Sequence, residues 1–101
     1  MNTEEKAGLE QSAAKLKAIA DPMRLRIVHS LLLGPCNVSA LCKLVKAEIV
    51  KVSHHLKVLK YNGIVEIEKR GRQKIYSLAK DVITNKRGKL NFGKFSFYLQ
   101  N

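Results

Sequence analysis

Apolar residues recur at three- and four-residue steps through the first sixty positions and then at every second position. The first spacing is that of one face of an α-helix, the second that of a half-buried strand. Residues 4–19 place Leu9, Ala13 and Leu16 on one stripe, with Ala20 just beyond. Gly8 weakens the early turns of this helix and Thr3 can cap it. Asp21-Pro22 restarts a helix, because Asp caps and Pro has no N–H to lose at a first helical position. That second helix, 22–33, carries Met23, Ile27 and Leu31, with Val28 and Leu32 alongside, and Gly34-Pro35 stops it. A short helix at 39–45, capped by Asn37 or Ser39, leads through a turn at Lys46-Ala47-Glu48 into a helix at 49–61. The core stripe of this last helix is Val52, Leu56 and Leu59, and Asn62-Gly63 ends it.

From Ile64 the period changes to two. Two alternating runs within 64–78, around Arg70-Gly71-Arg72-Gln73, predict a β-hairpin. Residues 79–89 are polar with weak helical character. Residues 90–99 hold Leu90, Phe92, Phe95, Phe97 and Leu99, whose parity switches at Gly93-Lys94. A single strand with a β-bulge there accounts for the switch. The expected fold class is mainly α with a β-hairpin (α+β): a winged helix-turn-helix in the order α-α-α-α-β-β plus a C-terminal strand, in one domain over 1–101.

Composition narrows the function. The chain has 101 residues, 46% of them apolar and 27% charged, which suits one globular domain and leaves little room for a large catalytic cleft. No run of about 18 apolar residues occurs, and the polar Met1-Asn2-Thr3-Glu4-Glu5 start is unlike a signal peptide. The expectation is a soluble cytoplasmic protein without a membrane partner. The net charge of +11 is the dominant feature. Residues 1–20 are neutral overall, and the excess builds from residue 21 onward, mostly after residue 36. Such a surplus points to a polyanion, with nucleic acid ahead of an anionic membrane.

The surplus is concentrated where a winged helix-turn-helix meets DNA. Helix 49–60 turns its core stripe inward and presents Val50, Lys51, Ser53, His54 and Lys57 on other faces. Short polar side chains near the start of a groove-lying helix reach base edges, and lysines reach phosphates. The hairpin tip carries Lys69, Arg70, Arg72 and Lys74 without a balancing acid, a composition suited to backbone or minor-groove contact. The plainer alternatives are a solvated helix face and a charged edge that blocks aggregation.

Three segments in order carry a family resemblance. LKAIADPMRLRIV (16–28), VSHHLKVL (52–59) followed by GIV (63–65), and RGRQKIYSL (70–78) resemble the opening signature, recognition helix and wing of ArsR/SmtB-type bacterial repressors. The match covers about residues 10–80. It implies a homodimeric repressor on double-stranded DNA, dimerised through its terminal elements, with Ser53 and His54 at the DNA. His55 matches a frequent family histidine, and its place beside the core stripe suggests a half-buried structural role. Many relatives bind metal through a Cys-Val-Cys run. The corresponding positions here are Asn37 and Ser39 around Val38, so those soft ligands are missing.

Cys36 and Cys42 are too few for a disulfide framework, and a thiol sensor is the functional alternative to an ordinary loop and core pair. The family's C-terminal metal site needs Asp, His and Glu, whereas only Asp81 follows residue 78, and His29 falls in the second helix. No metal, other cofactor or small-molecule substrate is therefore expected. A phosphate-binding glycine loop and a catalytic triad are also lacking, so an enzyme is not expected. The aromatic end departs from the family's usual terminal helix. Residues 4–19 and 90–99, through Leu9, Leu16, Phe92, Phe95 and Phe97, are expected to form the dimer interface. The rival functions are a non-sensing architectural DNA binder and an RNA-binding or protein-interaction winged helix.

Overall fold

The computed structural model describes residues 1–84 and 88–99. Helix α1 spans Thr3–Ile19, α2 Pro22–Leu31, α3 Val38–Val45 and α4 Ile49–Tyr61. Two-residue strand β1 (Cys36–Asn37) precedes α3, and β2 (Val65–Arg70) and β3 (Gln73–Leu78) form the wing. Strands β4 (Lys89–Asn91) and β5 (Ser96–Tyr98) close the chain. The wing sheet has the order β1-β3-β2, and β4 pairs with β5 in a second sheet. Both are antiparallel.

The capping chemistry sets the element ends. Asn2, rather than Thr3, caps α1, its Oδ1 accepting from Glu5 N at 2.8 Å. Asp21 caps α2 through Arg24 N at 3.0 Å, with Pro22 at the first helical position. Helix α2 ends two residues before the expected boundary, and Gly34 donates back to Leu31 O at 3.1 Å in the turn that follows. Asn37 caps α3 through Ala40 N at 2.8 Å. At the end of α4, Ile64 N donates to Leu59 O and Gly63 N to Lys60 O. This is the paired closure that a left-handed glycine makes possible, and Gly63 has φ 72°.

Ile27, Val28 and Leu31 of α2, Leu41 and Val45 of α3, and Val52, Leu56 and Leu59 of α4 share one core with Ile64, Val65 and Leu78. On α1 the buried side chains are Ser12, Ala18 and Ile19. The expected stripe therefore needs correction: Ala13 and Ala20 are exposed, while Leu9 and Leu16 are half-buried.

The C-terminal segment also differs from expectation. It is a hairpin, not a single bulged strand. Leu90 faces Phe97, and the chain reverses through Phe92–Phe95, where Phe92 N donates to Phe95 O at 2.7 Å. Phe92, expected at a dimer interface, is fully buried within its own protomer. Its ring meets Phe97 edge-on, with centroids 5.2 Å apart. Ser12 ties this hairpin to α1, its Oγ donating to Phe92 O and accepting from Lys94 N at 3.0 Å. The stretch expected to be weakly helical at 79–89 is a turn with one bridge, Ile83 to Leu90, and its residues 85–87 lie outside those described.

Candidate nucleic-acid interface

Helix α4 is held from below by its apolar stripe, so its outer face is available to a partner. Positions 50, 53, 54 and 57 fall at helical i, i+3, i+4 and i+7 and share one side. Val50, Ser53, His54 and Lys57, with Ile49, line one shallow depression. Val50 is 78% exposed there. Lys51 lies about 100° around the helix from Val50. It is exposed, and its charge acts on His55. Of the five α4 residues expected at the DNA, four are thus brought together and Lys51 flanks them.

His55 is held from behind. Arg24 Nη1 lies 3.1 Å from His55 Nδ1, and Asp21 Oδ2 is 4.0 Å from the same atom. Arg24 Nε donates to Ala18 O, and Arg24 N donates to Asp21 Oδ2. One arginine thereby joins the end of α1, the cap of α2 and the outer helix α4. Burial pushes the His55 imidazole below its ordinary value, with Asp21 pulling the other way and Arg24, His54 and Lys51 adding to the depression. The Arg24 amide in turn holds the Asp21 carboxyl below the usual carboxylate range.

The wing sits beside α4. Lys69 faces Lys74 directly across the hairpin, and Arg70 faces Gln73. Opposed like charges on a strand pair are destabilising unless an anion intervenes. Gly71 takes φ 61° at the first of the two loop residues, as tight hairpin turns require. The tip is less unbalanced than its composition suggests, because Arg70 Nη2 bonds Glu68 Oε2 at 3.2 Å. Both carboxylate and guanidinium are exposed, so this pair holds little energy against a competing phosphate. Lys69, Arg70, Arg72 and Lys74 are all exposed.

Between wing and helices lies a cleft of about 390 Å³, lined by Ser39, Ser53, Arg72, Gln73, Lys74 and Tyr76 among others. Sequence reasoning missed Ser39 and Tyr76. Their joint placement depends on β1, a strand of two residues that no periodicity reveals, which pairs Cys36 with Tyr76. Cys36 and Cys42 are free thiols, both half-buried, and burial pushes the Cys36 thiol up, away from the reactive thiolate. Among the described residues no group of three or more His, Cys, Asp or Glu is placed to hold a metal ion. None of the described helices is long and apolar enough to cross a membrane.

Residues 21–66 match the profile of the bacterial regulatory protein, arsR family. CmtR of Mycobacterium tuberculosis, an HTH-type transcriptional regulator, is 37% identical over 82 residues, covering 80% of this chain and 70% of its own. The chain belongs to the ArsR family. This ArsR-family chain is also 41% identical over 68 residues to NmtR of M. tuberculosis, another HTH-type transcriptional regulator, covering 67% of this chain. It spans 57% of NmtR's length. Among solved structures it resembles the homodimeric winged helix-turn-helix DNA-binding domain of a possible ArsR-family regulator from Mycobacterium bovis. That likeness has a TM-score of 0.72 and 30% identity, covering 78% of this chain and 73% of the other. The fold is accordingly a winged helix-turn-helix, and the family is one of regulators rather than enzymes.

Proposed function

We propose that the chain is a dimeric transcriptional repressor of the cytoplasm that binds double-stranded DNA at an inverted-repeat operator and performs no catalysis. The observation that carries this reading is the outer face of α4, with Val50, His54 and Lys57 exposed and Ser53 half-buried, beside a wing with four cations. A helix fits the major groove and reads bases with such a face, while a basic hairpin grips the adjoining backbone. Family membership and the homodimeric M. bovis neighbour support the same reading. Two-fold symmetry then calls for half-sites about 34–36 Å apart, or a multiple of that distance.

Binding-site selection from random duplex DNA at about 150 mM salt, where the non-specific term is suppressed, tests the proposal. The expected result is a palindromic consensus. Retention of all sequences within about tenfold would instead indicate an architectural binder, since specific sites typically gain at least about 10³. Preference for RNA over duplex DNA would overturn the reading altogether.

A further inference from the structure

Both helices of the helix-turn-helix and the wing contribute to the cleft of about 390 Å³. Ser39 of α3 and Ser53 of α4 supply hydroxyls, and Arg72 and Lys74 of the wing supply cations. No carboxylate is among its lining residues. Among the described residues neither Arg72 nor Lys74 has an ion-pair partner, in contrast to Arg70. Hydroxyl donors converging with two unpaired cations are the donor set for phosphate oxygens, which accept charge-assisted hydrogen bonds from several directions. Ser53 is half-buried between α3 and the wing, whereas Val50 and His54 on the same helix are exposed. A hydroxyl recessed in a basic cleft meets the ridge of a nucleic-acid backbone before it meets a base edge.

We propose that this cleft clamps one backbone phosphate of each DNA half-site, held by the Ser39 and Ser53 hydroxyls and the Arg72 and Lys74 cations. The proposal rests on the DNA-binding reading above and deepens it. Ser53 leaves the base-reading set, and sequence discrimination falls to Val50, His54 and Lys57. The clamp also fixes the wing relative to α4, because its parts come from both.

A position-by-position scan tests it. Each phosphate of a selected duplex, together with its two-fold mate in the other half-site, is replaced in turn by a neutral methylphosphonate, and each duplex is titrated with wild type, Ser53→Ala and Arg72→Ala. Unmodified duplex should bind wild type about tenfold to a hundredfold more tightly than either variant, the range for one charge-assisted hydrogen bond. At one phosphate per half-site that difference should vanish, since the clamp is already empty. Base preference of Ser53→Ala in selection should match wild type. A scan with no such position, or a Ser53→Ala consensus altered at one base pair, overturns the clamp while leaving DNA binding intact. Inorganic phosphate that saturates the cleft without DNA and inhibits DNA binding would make it a soluble-anion site and equally overturn the proposal. Failure of the wild type to bind unmodified duplex would bring down the DNA-binding reading itself. Circular dichroism melts of both variants distinguish a lost contact from a lost fold.

Discussion

Arg24 is the residue on which the placement of the outer helix turns. Its guanidinium donates to Ala18 O and meets His55 Nδ1 at 3.1 Å, so that nitrogen must accept and the imidazole proton must sit on Nε2. Protonating Nδ1 would set two donors against each other. The folded imidazole is depressed below its ordinary value near 6.5, so the unfolded chain takes up the proton first as pH falls. Stability from this group is therefore fully present above about pH 6.5 and declines as pH drops towards the folded value. Urea midpoints between about pH 7.5 and 5.5 should fall for wild type and flatten for His55→Gln. An equal slope in both would remove His55 as the cause. Arg24→Met should cost about 2 kcal/mol, the loss of hydrogen bonds to a charged donor. Helical spacing alone marks Val52, Leu56 and Leu59 as core. It cannot pair Arg24 with His55, because partners 31 positions apart leave no periodic trace.

At the scale of elements, the turn between α3 and α4 and the C-terminal hairpin carry the chain's local compromises. Lys46 closes α3 with φ 54°, the left-handed region in which a side chain with a Cβ is strained. Lys46→Gly should be neutral or stabilise by up to about 1 kcal/mol, and Lys46→Val should destabilise by at least that much. Thermal melts of the two variants decide it, and equal melting temperatures would argue against strain at this turn. Ser12 is the other pivot. Its hydroxyl is buried and serves Phe92 O and Lys94 N together, so Ser12→Ala strands two backbone groups. The expected loss is about 1–3 kcal/mol, with hydrogen exchange accelerated in residues 88–99 ahead of α4. The parity switch at Gly93-Lys94 is visible in the sequence, but a bulge and a chain reversal shift alternation alike. What decides for reversal is the burial of Phe92 against Ser12 and α1, a contact 80 positions long. The four helices and the wing are legible because caps, glycines and period agree locally. Strand β1 and the terminal hairpin are not, because β1 exists through pairing with distant β3 and the hairpin is fixed by its contacts with α1.

At the scale of the whole molecule, the proposed function gives each protomer one reading helix, and a palindromic site needs two held at a fixed separation. The elements available to hold them are α1 and the hairpin. Phe95 is 51% exposed and Tyr98 58% exposed, while Leu9 and Leu16 are only half-covered. Phe92 is excluded from that surface because it fills the protomer's own core. The interface we propose is therefore Leu9, Leu16, Phe95 and Phe97, with Tyr98 added. Truncating the chain at residue 80 would test it poorly, since removing Leu90 and Phe92 empties part of the core. A double substitution, Leu9→Glu with Phe95→Glu, spares those buried groups. It should give a folded monomer by sedimentation, with a melting temperature no longer dependent on protein concentration. Operator affinity should fall at least about tenfold, because each half-site then binds alone and the effective concentration supplied by the partner is lost. The salt slope measured per protomer should stay nearly constant, since the phosphate contacts of each wing and helix are intact. Removing Arg72 or Lys74 should do the reverse, lowering the slope by about 0.9 for each contact without altering the oligomer. A double variant that remains dimeric would place the interface elsewhere, and one that loses slope instead of avidity would place these residues at the DNA.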